Sequence, residues 1–155
     1  MKKRVVNIIF LVIYILLIIW FIFKSLEDGE ESSSTSEEVV DIISNIFNLE
    51  KTDNLRTVVR KLIGHFGYFL LLGITSSLFY LTLSFGKLKY RIIIHYSIGL
   101  LLAIFSEFVL EANTNGRTAS GLDVIIDYSG FILLSTIIFT IYLKKYYNRQ
   151  VNGIA

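Results

Sequence analysis

Six side chains in this sequence could together hold or move charge: Lys61, His65, Glu107, Arg117, Asp123 and Asp127. One imidazole near three carboxylates offers acid–base chemistry, with His65 as general base and Glu107 or Asp123 as acid or orienter. The cations offer a second chemistry. Arg60, Lys61 and Arg117 could hold a phosphate or carboxylate, and an arginine gives paired hydrogen bonds from a planar fork. His65, Glu107, Asp123 and Asp127 could instead ligate Zn²⁺ or Mn²⁺. Their spacing matches no metal motif, so the sequence assigns no metal and no cofactor. The chain has no Cys, which removes thiolate ligands and a Cys nucleophile. Ser106 adjoins Glu107 rather than a placed His, so no nucleophile is evident, and the residues favour binding over catalysis.

The spacing of these residues is helical. Lys61, His65, Tyr68 and Leu72 fall on one stripe of a helix, as do Asp123, Asp127, Gly130 and Leu134. Gly64, Gly67 and Gly73 mark places where a second helix could approach closely. Both stripes sit inside apolar runs. A charge at bilayer depth costs ~2.5–3.5 kcal/mol on insertion scales and usually faces a partner or a wet cavity.

The elements that must position these groups are set by composition. Of 155 residues, 54% are apolar and 18% charged, with net charge +2. Mean hydropathy is +0.62. Soluble domains are nearer ~25% charged, so a water-soluble globule and a disordered chain are both disfavoured. The sequence has no Pro to break helices, and its twelve Phe and nine Tyr suit a lipid boundary. Four apolar runs, at 5–23, 62–85, 92–110 and 122–143, have the length of membrane spans. The first ends in Trp20, Phe21 and Phe23 rather than at a small-residue cleavage site, which reads as an uncleaved span. The expected fold is a single all-α membrane domain over 1–155 with four transmembrane helices.

Charge sets the expected orientation. Lys2, Lys3, Arg4, Lys87, Lys89, Arg91, Lys144, Lys145 and Arg149 share one side with no acidic residue. Excess Lys and Arg marks the cytoplasmic face, so both termini are expected inside. His65, Glu107, Arg117, Asp123 and Asp127 then converge near the outer leaflet, together with Arg60, Lys61 and Glu111. His95 enters from the inner face and cannot join them. Loop 24–59 lies outside. Its acidic, Ser-rich start reads as solvated chain. Ser34 with Glu37, or Thr35 with Glu38, is spaced as a capping box that opens an amphipathic helix over 37–49, lying on the membrane or over the bundle.

Two segments resemble the VanZ-like membrane proteins. Arg60-Lys61-x-x-His65-Phe66-x-x-Phe69-x-x-Leu72-Gly73 is similar to one stretch of that family, and Gly116-Arg117-x5-Asp123-x3-Asp127-x2-Gly130 to another. The family's E-x-x-Q stretch is matched in part. Glu107 takes the Glu position with Leu110 in place of Gln; in the other register Glu111 takes the Gln position and Phe108 the Glu position. The resemblance implies a multi-pass protein of the bacterial cytoplasmic membrane. It also implies a role in cell-envelope physiology or in resistance to the glycopeptide antibiotic teicoplanin. The expected partners are the lipid bilayer and an envelope lipid, peptide or glycopeptide, with no nucleic acid. The alternative is an intramembrane hydrolase or transferase acting on a lipid-linked substrate through His65 with Glu107 or Asp123.

Overall fold

With no proline to interrupt them, the apolar runs form long helices. The computed structural model describes residues 2–83, 87–151 and 153, without side chains at 2–4, 31, 35 and 149–151; no strand occurs among the described residues. Helix α1 covers Lys2–Ser25 and α2 covers Gly29–Phe47. Helix α3 covers Asp53–Thr82, α4 covers Leu88–Asn113 and α5 covers Gly121–Val151. Among the described residues, four stretches are long and apolar enough to cross a membrane: Val5–Ser25, Asp53–Thr82, Leu88–Asn113 and Gly121–Asn148. They match the four expected spans with longer ends, except that the second stops at Thr82, where Leu83 turns extended, short of the expected end at 85. Phe85, the expected inner end of the second span, lies outside the described residues, as do the side chains of Lys2, Lys3, Arg4, Thr35 and Arg149.

The second span begins earlier than its apolar run because polar residues can also nucleate a helix. Thr52 Oγ1 accepts from the Leu55 N–H at 3.2 Å, and Arg56 pairs with Asp53 at 3.1 Å across the first turn. The same cause corrects the reading of the Ser-rich segment. It is helical from Gly29, not solvated chain up to 36. The Ser33 hydroxyl donates to the Gly29 carbonyl at 2.7 Å, and Ser36 to that of Ser32 at 2.9 Å. Ser34 therefore lies within the helix rather than capping it. The helix stops at Asn48, whose φ of 51° is left-handed, and Leu49 N–H reaches back to the Ser44 carbonyl at 3.1 Å.

Helix α3 is central and packs on α1, α4 and α5. Phe69, Leu72, Ala103 and Phe131 are fully buried there. Tyr68 stacks on Phe21 of α1 and donates its hydroxyl to the Leu17 carbonyl. The outward surfaces are apolar: Ile8, Leu16, Leu101 and Ile125 are each about 60% exposed. In a bilayer, lipid tails would be as apolar as these side chains, so close packing rather than burial of apolar area would hold the helices together. Glycines supply it. A Cβ on Gly73 would sit 2.2 Å from the Phe131 carbonyl oxygen, and one on Gly130 2.3 Å from that of Phe66. Gly64 and Gly67 differ from expectation. Open space surrounds Gly64, and Gly67 approaches only the Leu62 carbonyl of its own helix.

Candidate functional site

Helices α3 and α5 run side by side in the same direction, so equal steps along each keep meeting. Lys61 Nζ lies 3.2 Å from Asp123 Oδ1, and four residues further His65 Nδ1 lies 3.1 Å from Asp127 Oδ1. Both helices of the next contact carry a wide turn at this level. Arg60–Gly67 of α3 and Ser106–Leu110 of α4 are π-helical, with backbone bonds reaching one residue further than in an α-helix. Such turns are rare and turn side chains to angles an α-helix does not give. They carry His65, Ser106 and Glu107 into the interior, where all three are buried.

The centre of the site is His65, Glu107 and Asp127. His65 Nδ1 is 3.6 Å from Glu107 Oε1. Each carboxylate is held by its other oxygen. Ser120 N–H donates to Glu107 Oε2 at 3.1 Å, and Ser106 Oγ donates to Asp127 Oδ2 at 3.3 Å. Ser120 also accepts from the Asp123 N–H at 3.3 Å, which fixes the start of α5 beside α4. Asp123 does not touch His65; it faces Lys61. The imidazole partner is Asp127. Ser106 lies behind Asp127, and among the described residues no hydroxyl bonds the imidazole of His65.

A second ion pair closes the end of the bundle. Arg117 Nη2 is 2.8 Å from Glu111 Oε1, with both side chains about nine-tenths buried. Arg117 Nη1 also donates to the Ser25 carbonyl at 3.2 Å, pinning the end of α1. The preceding Gly116 has φ 74°, a left-handed value that suits glycine, and its backbone lies against Gly29. Gly29 N–H donates to the Asn115 carbonyl at 3.0 Å. The α4–α5 loop thus locks the start of α2 to the end of α1.

Between α1, α2 and α3 opens a cavity of about 240 Å³. Trp20, Phe21 and Tyr68 line one part of it, and Arg60, His65, Glu111 and Arg117 another. Arg60 makes no ion pair or hydrogen bond among the described residues, whereas Lys61 and Arg117 are each paired. The three cations expected to act together on one anion are therefore divided. Arg60 and Arg117 reach this cavity, and Lys61 lines only a neighbouring groove, which Arg60 shares with it and with Arg56 and Glu37. His95 is separate: fully buried, it stacks on Phe131 at 4.7 Å between ring centroids and bonds the Ser76 hydroxyl at 3.0 Å.

Sequence reasoning gave Glu111 only a marginal place and Ser106 and Ser120 no share in holding the carboxylates. Helical spacing cannot find them, because wide turns and the loop bring them in. No family model matches the chain, and no curated protein and no solved structure matches it.

Proposed function

We propose that this chain is a VanZ-like protein of the bacterial cytoplasmic membrane that binds an anionic envelope lipid, peptide or glycopeptide at the outer leaflet. The cavity beside Arg60 carries this reading. It joins an aromatic wall, suited to an apolar body, to a guanidinium that makes no ion pair or hydrogen bond among the described residues, suited to a phosphate or carboxylate. The two motif-like segments contribute Arg60 and His65 from one side and Arg117 from the other. Helix α2 lines the cavity with Ser32 and Ser36, and its Ile42, Ile46 and Phe47 are exposed, which suits contact with the membrane surface.

The orientation is tested by labelling. With both termini inside, as the Lys and Arg distribution favours, a Ser33→Cys variant should react with an impermeant maleimide on intact cells. Labelling only after permeabilisation reverses the topology.

Binding is tested with Trp20, the one Trp of the chain, which lines the cavity. In nanodiscs, its fluorescence should change saturably as phosphatidylglycerol or teicoplanin is added, and not with phosphatidylcholine. Arg60→Ala should weaken that response about tenfold, the size of one charge-assisted hydrogen bond, and Arg60→Lys should restore part of it. A Trp20 signal that ignores every anionic addition refutes the binding reading. The same variants scored for teicoplanin susceptibility, normalised to membrane abundance, test the resistance role.

A further inference from the structure

Three helices bring one metal-ligand type each to the same buried point: His65 from α3, Glu107 from α4 and Asp127 from α5. We propose that these three residues form a divalent transition-metal site of the Zn²⁺ or Mn²⁺ class, separate from the Arg60 anion contact.

The distances suit it. One ligand atom from each residue lies within 4.8 Å of the other two, and His65 Nδ1 stands 3.1 and 3.6 Å from the two carboxylate oxygens. A tetrahedral ion with ~2.0–2.2 Å bonds sets neighbouring ligand atoms ~3.3–3.6 Å apart. The bonding pattern suits it as well. Glu107 is fully buried and its Oε1, the oxygen nearest His65, has no hydrogen-bond partner. A carboxylate oxygen left bare in an apolar interior is costly unless something binds it. The opposite oxygens of both carboxylates are tied by Ser120 N–H and Ser106 Oγ. Outer partners of this kind hold metal ligands in place.

Charge points the same way. Lys61 answers Asp123 and Arg117 answers Glu111. Glu107 and Asp127 are then left with one imidazole, and in the deprotonated state that a metal ion binds, the two carboxylates would carry the charge that a divalent cation balances. Mixed nitrogen and oxygen donors select Zn²⁺ or Mn²⁺ over Ca²⁺, which prefers all-oxygen sites. Three protein ligands leave coordination positions open, and His65 also lines the cavity. The competing arrangement is a protonated His65 shared by the two carboxylates without any metal.

The full-length protein in nanodiscs, stripped with EDTA, should be titrated separately with ZnCl₂, MnCl₂ and CaCl₂. One Zn²⁺ or Mn²⁺ per chain is expected, with a rise in unfolding temperature that EDTA reverses. CoCl₂ should give visible absorption bands of a nitrogen- and oxygen-ligated ion. Glu107→Gln and His65→Gln should lose at least ~10-fold in affinity. Asp41→Asn, at an exposed pair with Lys51, should lose none. The wild-type titration decides the matter even where a variant fails to fold. Substoichiometric binding by the wild type overturns the proposal. So does Ca²⁺ binding as tight as Zn²⁺, or a folded Glu107→Gln that binds as the wild type does.

Discussion

Gly130→Leu is expected to abolish folded protein in the membrane fraction. A Cβ at Gly130 would lie 2.3 Å from the Phe66 carbonyl oxygen and within 3.1–3.2 Å of the carbonyl carbon and Cα of Phe66. All three are backbone atoms, so no side chain can swing aside. Helices α3 and α5 would have to part at the level where His65 meets Asp127. Overpacking a core commonly costs ~1–3 kcal/mol, and a backbone clash between two helices stands at or beyond the top of that range. Gly130→Ala should show the same fault in milder form, as a lower unfolding temperature in detergent. Gly64→Ala is the control, because nothing lies within 4 Å of the added atom. It should be as stable as the parent or more so, since alanine is the better helix former by ~1 kcal/mol. Equal stability of Gly130→Leu and Gly64→Ala would falsify the close approach of α3 and α5.

Loss of Glu111 is expected to be the most damaging single charge removal. Its partner Arg117 is about nine-tenths buried and bridges to the Ser25 carbonyl, so Glu111→Ala leaves a buried guanidinium without its carboxylate. Breaking a buried pair from one side costs ~3–5 kcal/mol. Removing both charges costs less than the sum of the two single losses, because no charge is then stranded. The double variant Glu111→Gln/Arg117→Met should therefore be more stable than Glu111→Ala alone, as a double-mutant cycle on unfolding in detergent would read. Lys61–Asp123 gives the contrast. Lys61 keeps about a third of its side chain exposed, so Asp123→Asn leaves an ammonium that can still reach water. Its effect should be clearly smaller. Equal costs at the two acids would show that burial does not grade these pairs.

Much of the architecture could be read from the chain because apolar length is a strong signal. Four runs of membrane-spanning length gave four helices of that kind, and the stripes gave the meeting of Lys61 and His65 with Asp123 and Asp127, though Tyr68 of the same stripe turns to α1. The Ser-rich segment was less legible. Ser hydroxyls that favour turns in water bond back to the preceding turn here, and contacts with the α4–α5 loop hold the start of that helix. Gly64 and Gly73 look alike in sequence, since small size says only that an approach is possible. Which glycine is used depends on where two helices cross. Pairing within the site was the least legible part. Asp123 and Asp127 share a stripe, yet one meets a lysine and the other a histidine, and only the shared direction of α3 and α5 decides which. Glu111 and Ser106 sit beyond the reach of spacing arguments, because these assume a regular 3.6-residue turn and α4 abandons it at Ser106.

A wide turn is also one surplus residue stored inside a helix. Deleting a residue from a regular helix rotates everything after it, and such shortened chains rarely assemble. At Ser106–Leu110 of α4 the surplus is absorbed locally. Removing the exposed Phe108 should let that turn close to ordinary pitch with the long stretch Leu88–Phe105 and the loop beyond Asn113 still near their places. The side chains within the turn would swing, Glu107 among them. A shortened chain that inserts and folds but has lost the contact of Glu107 with His65 would separate what the bundle needs from what its polar centre needs, by subtraction of a single amino acid.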